Sequence, residues 1–202
     1  MRQIGRPLAE AKGLVILLHG RGGSAEDILS IVPEFHAPHL TYLAPEAPGN
    51  TWYPNSFMAP REKNEPWLTS ALNTIESTVR SAIDAGVAPD RIVIGGFSQG
   101  ACLSSEFVVT HPRRYAALLA FTGGLIGPPD ADLTHEGDLQ GMPAFFGSGE
   151  PDPHVPWLRV EQSAQIVSNM GGIVTLRRYP GRPHTITADE LAVAAKLIHD
   201  AF

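Results

Sequence analysis

The pentapeptide GFSQG at residues 96–100 sets Ser98 between two glycines in the G-x-S-x-G spacing of a nucleophile elbow. A serine hydroxyl attacks a carbonyl effectively only when a neighbouring base takes its proton, and that base needs a carboxylate to orient it. The chemistry to look for is acyl transfer by a serine, a histidine and an acid drawn from distant parts of the chain. The context of the pentapeptide agrees. RIVIGGF (91–97) reads as a strand entering the motif, and ACLSSEFVVTHP (101–112) as a helix leaving it. Gly96 and Gly100 then have a physical reason, because side chains at so sharp a turn would collide with adjacent backbone. The plainer reading is a surface serine in a Gly-rich turn.

In a strand–turn–helix site of this kind the acid and then the histidine follow the serine along the chain. Of the eight histidines, His154, His184 and His199 lie far enough downstream, whereas His111 and His135 precede any plausible acid. His199 falls inside a helical pattern. His184 sits in PGRPHT (180–185), directly after the apolar run IVTLRRY, at the sheet edge where Ser98 should also emerge. The segment GSGEPDPHVP (147–156) offers Glu150 and Asp152 as the acid. Asp152 is preferred, since its two flanking prolines fix the backbone of a carboxylate that must orient imidazole. A plainer role for it is to cap the helix that starts near Pro156. Asp130, Asp132 and Asp138 precede the strand and belong at the opposite edge. Two backbone amides complete the set as donors to a developing oxyanion: Gln99, which follows the nucleophile, and Arg21 in HGRGG (19–23). His19 in the same segment reads as a structural hydrogen-bonding residue.

These residues require a scaffold of alternating strands and helices. Apolar runs at 14–18 (LVILL), 40–44 (LTYLA), 91–97, 116–121 (AALLAF), 143–148 (PAFFGS) and 173–179 read as strands, several of them continuous, as in a parallel sheet covered on both faces. Leu68, Leu72, Ile75, Val79 and Ile83 recur at steps of three and four and predict a helix ending near Gly86. A second helix follows Pro156, with Trp157, Val160, Ala164 and Val167 on one face. The last opens on a Thr187/Glu190 capping box and turns Leu191, Ala194 and Ile198 inward. The fold class is α/β, and residues 1–202 read as one domain.

The chain carries a net charge of −6, which gives no basic footprint for nucleic acid and disfavours stable docking on anionic membranes. No apolar run is long enough to span a bilayer, and the amino-terminal segment lacks a signal-like apolar stretch. The single cysteine, Cys102, excludes an intrachain disulfide and makes a cytoplasmic setting the default. Its place four residues after Ser98 on the helix points to core packing away from the elbow.

The set LLHGRGG (17–23), GGFSQGA (95–101), DPHVP (152–156) and YPGRPH (179–184), in this order and spacing, resembles the small phospholipase/carboxylesterase family of α/β-hydrolases, which includes acyl-protein thioesterases. The resemblance spans about residues 13–202. It implies an α/β-hydrolase fold with a mostly parallel central sheet, helices on both faces and a minimal lid. It further implies hydrolysis of carboxylic esters or acyl thioesters without metal or cofactor, Ser98, Asp152 and His184 as catalytic residues, and oxyanion amides at Arg21 and Gln99. Arg21 stands where thioesterase-like members usually carry an apolar residue, a departure that weighs against protein deacylation.

The expected substrate is a small-molecule ester of small or medium chain length, and a homodimer is compatible with the sequence. For the pocket, TWYPNSFM (51–58) supplies Trp52, Tyr53, Phe57 and Met58, either as an aromatic wall or as a pin holding a long loop to the domain. Leu125 and Val155, just beyond strand ends, join them as candidates. Two rivals follow from the same residues: a noncatalytic ligand-binding protein on a hydrolase fold, and a metal hydrolase using Asp152, His154 and His184, whose spacing matches no standard ligand motif.

Overall fold

A computed structural model describes residues 1–202. Seven strands form one sheet: β1 (Arg2–Gly5), β2 (Leu14–Leu18), β3 (Thr41–Ala44), β4 (Ile92–Phe97), β5 (Ala117–Phe121), β6 (Pro143–Glu150) and β7 (Ile173–Pro180). Their order is β1-β3-β2-β4-β5-β6-β7, with β1 antiparallel to β3 and every other pairing parallel. This is the mostly parallel α/β-hydrolase arrangement expected from the sequence. The side chains of β2 alternate between two cores, Leu14, Ile16 and Leu18 to one face and Val15 and Leu17 to the other, which is why its five residues are apolar without a break.

Five helices cover the sheet: α1 (Ala25–Leu29), α2 (Trp67–Asp84), α3 (Gln99–Thr110), α4 (Trp157–Asn169) and α5 (Ala188–Ala201). The larger core lies under α2, α3 and α4, and the smaller under α1 and α5. The periodic stripe of α2 seats Leu68, Ile75 and Val79 in the larger core, while Leu72 and Ile83 lie at its margin. Both Ser24 before α1 and Thr187 before α5 close capping boxes, with Asp27 and Glu190 respectively. No helix is long and apolar enough to cross a membrane.

Two departures from the sequence reading concern the sheet edges. Strand β1 has only four residues, all exposed, so it leaves no apolar pattern to detect; it pairs with β3 along its whole length. Strand β7 forms where the apolar run predicts it but is not covered on both faces: as the other edge it leaves Ile173 66% and Leu176 39% exposed. The segments at 45–66 and 122–142 contain no helix longer than a single 3₁₀ turn, so no helical lid lies over the sheet's carboxyl edge.

Candidate active site

The site lies at the carboxyl ends of the parallel strands, where β4 passes directly into α3 through Ser98. Ser98 has φ 54° and ψ −117°, a strained conformation for a residue with a side chain. It persists because the surroundings leave no alternative. A Cβ on Gly96 would come within 2.6 Å of the Gly100 carbonyl carbon, and one on Gly100 would run into the carbonyl of Leu18. β4, α3 and the end of β2 therefore pack at backbone contact, which fixes the serine at the apex of the turn.

His184 and Asp152 reach Ser98 from the loops after β7 and β6. Ser98 Oγ lies 2.9 Å from His184 Nε2, and His184 Nδ1 lies 2.8 Å from Asp152 Oδ2. An ionised carboxylate only accepts, so Asp152 selects the tautomer with the proton on Nδ1 and leaves Nε2 free to accept from the serine. The other oxygen of Asp152 accepts from the backbone amides of His154 and Val155, both at 2.9 Å. Burial by itself would push this carboxyl up. The hydrogen bonds from His184 and the two amides outweigh it and hold Asp152 below its ordinary value of 3.8. The stabilisation gained from ionised Asp152 is accordingly complete above that ordinary value, and fades only as the pH falls through the lower value in the fold.

Two further rings pack against the imidazole. The Phe97 ring packs at 5.0 Å and the His154 ring at 4.9 Å, nearly perpendicular. Behind the histidine loop lies a buried ion pair: Arg182 donates to Glu190 at 3.0 Å, to Thr122 Oγ1 at 2.6 Å and to the Thr185 carbonyl. Glu190 is the same residue that caps α5 through Thr187, so one carboxylate ties the loop to the helix that follows it. Arg182→Ala would leave that charge buried without its cation, and is expected to lower the unfolding free energy by about 3–5 kcal/mol in urea titrations; Arg182→Lys should lose less.

A cavity of about 550 Å³ opens beside Ser98 and is bordered by Arg21, Gln99, Tyr53, Phe57, His154 and Val155, among others. The amides proposed from sequence as oxyanion donors border it. The Arg21 N–H has no acceptor within the protein, and Gln99 occupies the first position of α3, where a helix leaves its N–H groups unpaired. The side chains of both residues also make hydrogen bonds that the sequence did not reveal. The Gln99 carboxamide accepts from Trp52 N at 3.0 Å and donates to the Tyr53 carbonyl at 2.8 Å. The Arg21 guanidinium donates to the carbonyls of Pro54 and Asn55 at 2.9 and 2.6 Å. Together they clamp the 51–58 segment along the cavity.

Trp52, which the sequence left open as wall or pin, and Leu125, a candidate for the pocket, do not border this cavity. The Trp52 indole N–H donates to the His19 carbonyl at 2.9 Å and its ring packs 4.9 Å from the His19 imidazole, so it is buried as a pin for the loop. Leu125 is fully buried, its amide bonded to Ser163 Oγ at 2.8 Å. The physical reason is common to both: an irregular segment must bury apolar side chains in the larger core to stay in place, and these are the ones it spends on anchoring. Within TWYPNSFM, wall and pin are thus divided between residues, Tyr53 and Phe57 serving both.

His19 accepts from the Ala47 amide through Nε2 at 3.1 Å, which leaves Nδ1 to donate to the Gly20 carbonyl at 2.8 Å, the structural role expected of it. Cys102 is buried in the larger core but also borders the cavity one turn beyond Ser98, closer to the site than the sequence suggested. Burial pushes its thiol up to about 12, so it stays protonated and is no rival nucleophile. Asp152, His154 and His184 do not converge as a metal-ligand set. Phe97 and Arg182 were missed as site residues, and His154 was weighed only as a base or metal ligand and not as a ring packed against His184; each lies within two positions of a triad candidate, and adjacency was the available signal.

A strand–serine–helix turn with a hydrogen-bonded histidine and carboxylate at the sheet's carboxyl edge defines a hydrolase of the α/β-hydrolase fold. The chain belongs to the phospholipase/carboxylesterase family, whose model matches residues 1–201. The crystal structure of a phospholipase/carboxylesterase from Dyadobacter fermentans superposes with a TM-score of 0.94 at 42% identity, covering 98% of this chain and 95% of that one. Esterase PE8 shares the fold, with a TM-score of 0.81 at 23% identity over 100% of this chain and 98% of that one. Acyl-protein thioesterase 1 of Saccharomyces cerevisiae is 29% identical, covering 97% of this chain and 96% of its own.

Proposed function

We propose that this protein is a serine carboxylesterase acting on small or medium-chain carboxylic esters through an acyl-enzyme. The observation that carries the reading is the unbroken line of hydrogen bonds from Ser98 Oγ through His184 to Asp152, opening onto a cavity. In acylation, Ser98 Oγ bonds to the ester carbon while its proton passes to His184 Nε2. The carbonyl electrons collect on the oxyanion, facing the amides of Arg21 and Gln99. Collapse breaks the bond to the alkoxy oxygen, which takes the proton from Nε2 and departs as the alcohol. Water then repeats the sequence on the acyl-enzyme, releasing the acid and restoring Ser98. Asp152 stabilises the imidazolium throughout and keeps its own charge. Tyr53, Phe57 and Val155 are the side chains best placed to contact the acyl group.

The test is labelling with a fluorophosphonate, mapped to a peptide, together with hydrolysis of p-nitrophenyl acetate, butyrate and octanoate. Label on Ser98 and turnover of the short esters are expected; a folded protein that neither labels nor turns over would be a ligand-binding protein instead. Thioester hydrolysis is the second reading, favoured by the full-length similarity to acyl-protein thioesterase 1. Matched oxygen and sulfur esters of one acyl chain separate the two by their kcat/KM ratio. A cytoplasmic setting suits a fold whose single cysteine forms no disulfide.

A further inference from the structure

A second cavity, about 350 Å³, adjoins the first on the far side of His184. Its apolar lining is Ile28, Ile31, Phe97, Ile186 and Leu191, all of which belong to or pack against the smaller core under α1 and α5. The first cavity draws its apolar lining Tyr53, Phe57, Cys102 and Val155 from the larger core on the opposite face. The two meet only at Gly20, Arg21, Phe97 and His184, so the candidate base sits at the junction of two compartments that belong to different layers, with Ser98 on the first alone.

Building on the esterase reading, we propose that this second cavity is the subsite for the alcohol portion of the ester and that it selects for an apolar, alkyl-bearing alcohol. The assignment follows from where each bond of the tetrahedral intermediate must point. The carbon is held by Ser98 Oγ, and its oxyanion faces the Arg21 and Gln99 amides. The departing oxygen must lie beside His184 Nε2, because that atom gives it the proton as the carbon–oxygen bond breaks. The first cavity is bordered by Ser98 and Gln99, which accords with the acyl chain. The second is bordered by neither of them. It is bordered instead by His184, Thr185 and Ile186, so it lies beside the imidazole that hands the departing oxygen its proton, where the substituent on that oxygen has room to extend. Its one acidic neighbour, Asp27, already accepts through Oδ2 from the Ser24 amide and hydroxyl at 2.8 Å each, and the five apolar side chains are what an alkyl group would bury against.

The experiment holds the acyl group constant and varies the alcohol: methyl, butyl and hexyl acetate, followed by titration of the released acid. For the wild type, kcat/KM is expected to rise roughly threefold to fourfold per methylene buried until the cavity is filled. Ile186→Asn and, separately, Ile31→Asn are expected to lower hexyl acetate's kcat/KM at least tenfold more than that of methyl acetate. The loss belongs to acylation, because both donors leave the same acetyl-enzyme, which must break down at one common rate in each protein. A wild-type series flat from methyl to hexyl, with Ser98 labelled and esters turned over, would overturn the subsite while leaving the esterase reading intact. Variants that change the acyl-length profile of p-nitrophenyl esters and leave the alcohol series alone would also overturn it, by reversing the assignment of the two cavities. No turnover of any ester and no label on Ser98 would remove both readings together.

Discussion

Ser98→Ala is expected to lower kcat/KM toward p-nitrophenyl esters by roughly 10⁵- to 10⁶-fold, with the fold intact. The size of the effect follows from what alanine removes. The substitution deletes one oxygen that accepts no capping bond and packs against nothing the cores require, since its contact in the folded protein is His184 Nε2. Stability should therefore be nearly unchanged, because alanine keeps the Cβ that makes φ 54° strained. Without the oxygen no acyl-enzyme forms, and what remains is water attack assisted by whatever donors still face the carbonyl. Adding His184→Ala to this variant should bring almost no further loss, because residues that act as one unit are not additive. A double variant slower than either single by the product of their effects would mean that His184 acts independently of the serine. Rates for the purified proteins, with circular dichroism to verify folding, settle the matter.

Asp152→Asn has the next largest expected effect, roughly 10⁴-fold in kcat. Here the geometry survives and the protonation pattern is reversed. An asparagine amide placed toward His184 would donate to Nδ1 and so force the ring proton onto Nε2, where it blocks acceptance from Ser98. The two backbone amides of His154 and Val155 make the substitution more revealing still. They require an acceptor, so the asparagine oxygen should turn to them and its NH₂ toward the histidine. The rate should recover in part at high pH, where deprotonated solvent nucleophiles bypass the imidazole. Equal activity of Asn and Asp at neutral pH would show that the carboxylate does not set the tautomer.

The central strands and the serine turn were legible because each imposes a local demand on residue type. LVILL and IVIGG are apolar throughout since both sides are buried, and Gly96 and Gly100 are glycines since a Cβ has no room. The histidine and acid were legible through chain order and their position after strands. The edges were not, because Arg2–Gly5 is held by pairing with β3, and pairing between strands leaves no mark on side-chain type. Nor could the sequence apportion Trp52, Tyr53, Phe57 and Leu125 between pocket and core. All four are apolar residues of irregular segments, and only the packing decides that Trp52 meets His19 while Tyr53 faces the cavity. The roles of the Gln99 and Arg21 side chains were hidden for a similar reason: their acceptors are carbonyls more than thirty positions away, which any sequence would supply.

The separation of the two cavities between opposite layers also bears on how such a protein diversifies. Changes at Tyr53, Phe57 or Val155 disturb the packing beneath α2, α3 and α4, whereas changes at Ile28, Ile186 or Leu191 disturb that beneath α1 and α5, with the sheet standing between them. Substitutions of the two kinds should combine with little epistasis, so that lineages can retune one half of the ligand while the other drifts. Phe97 is the exception among the apolar lining residues: it borders both compartments and touches the imidazole, and variation there would be felt on every side at once.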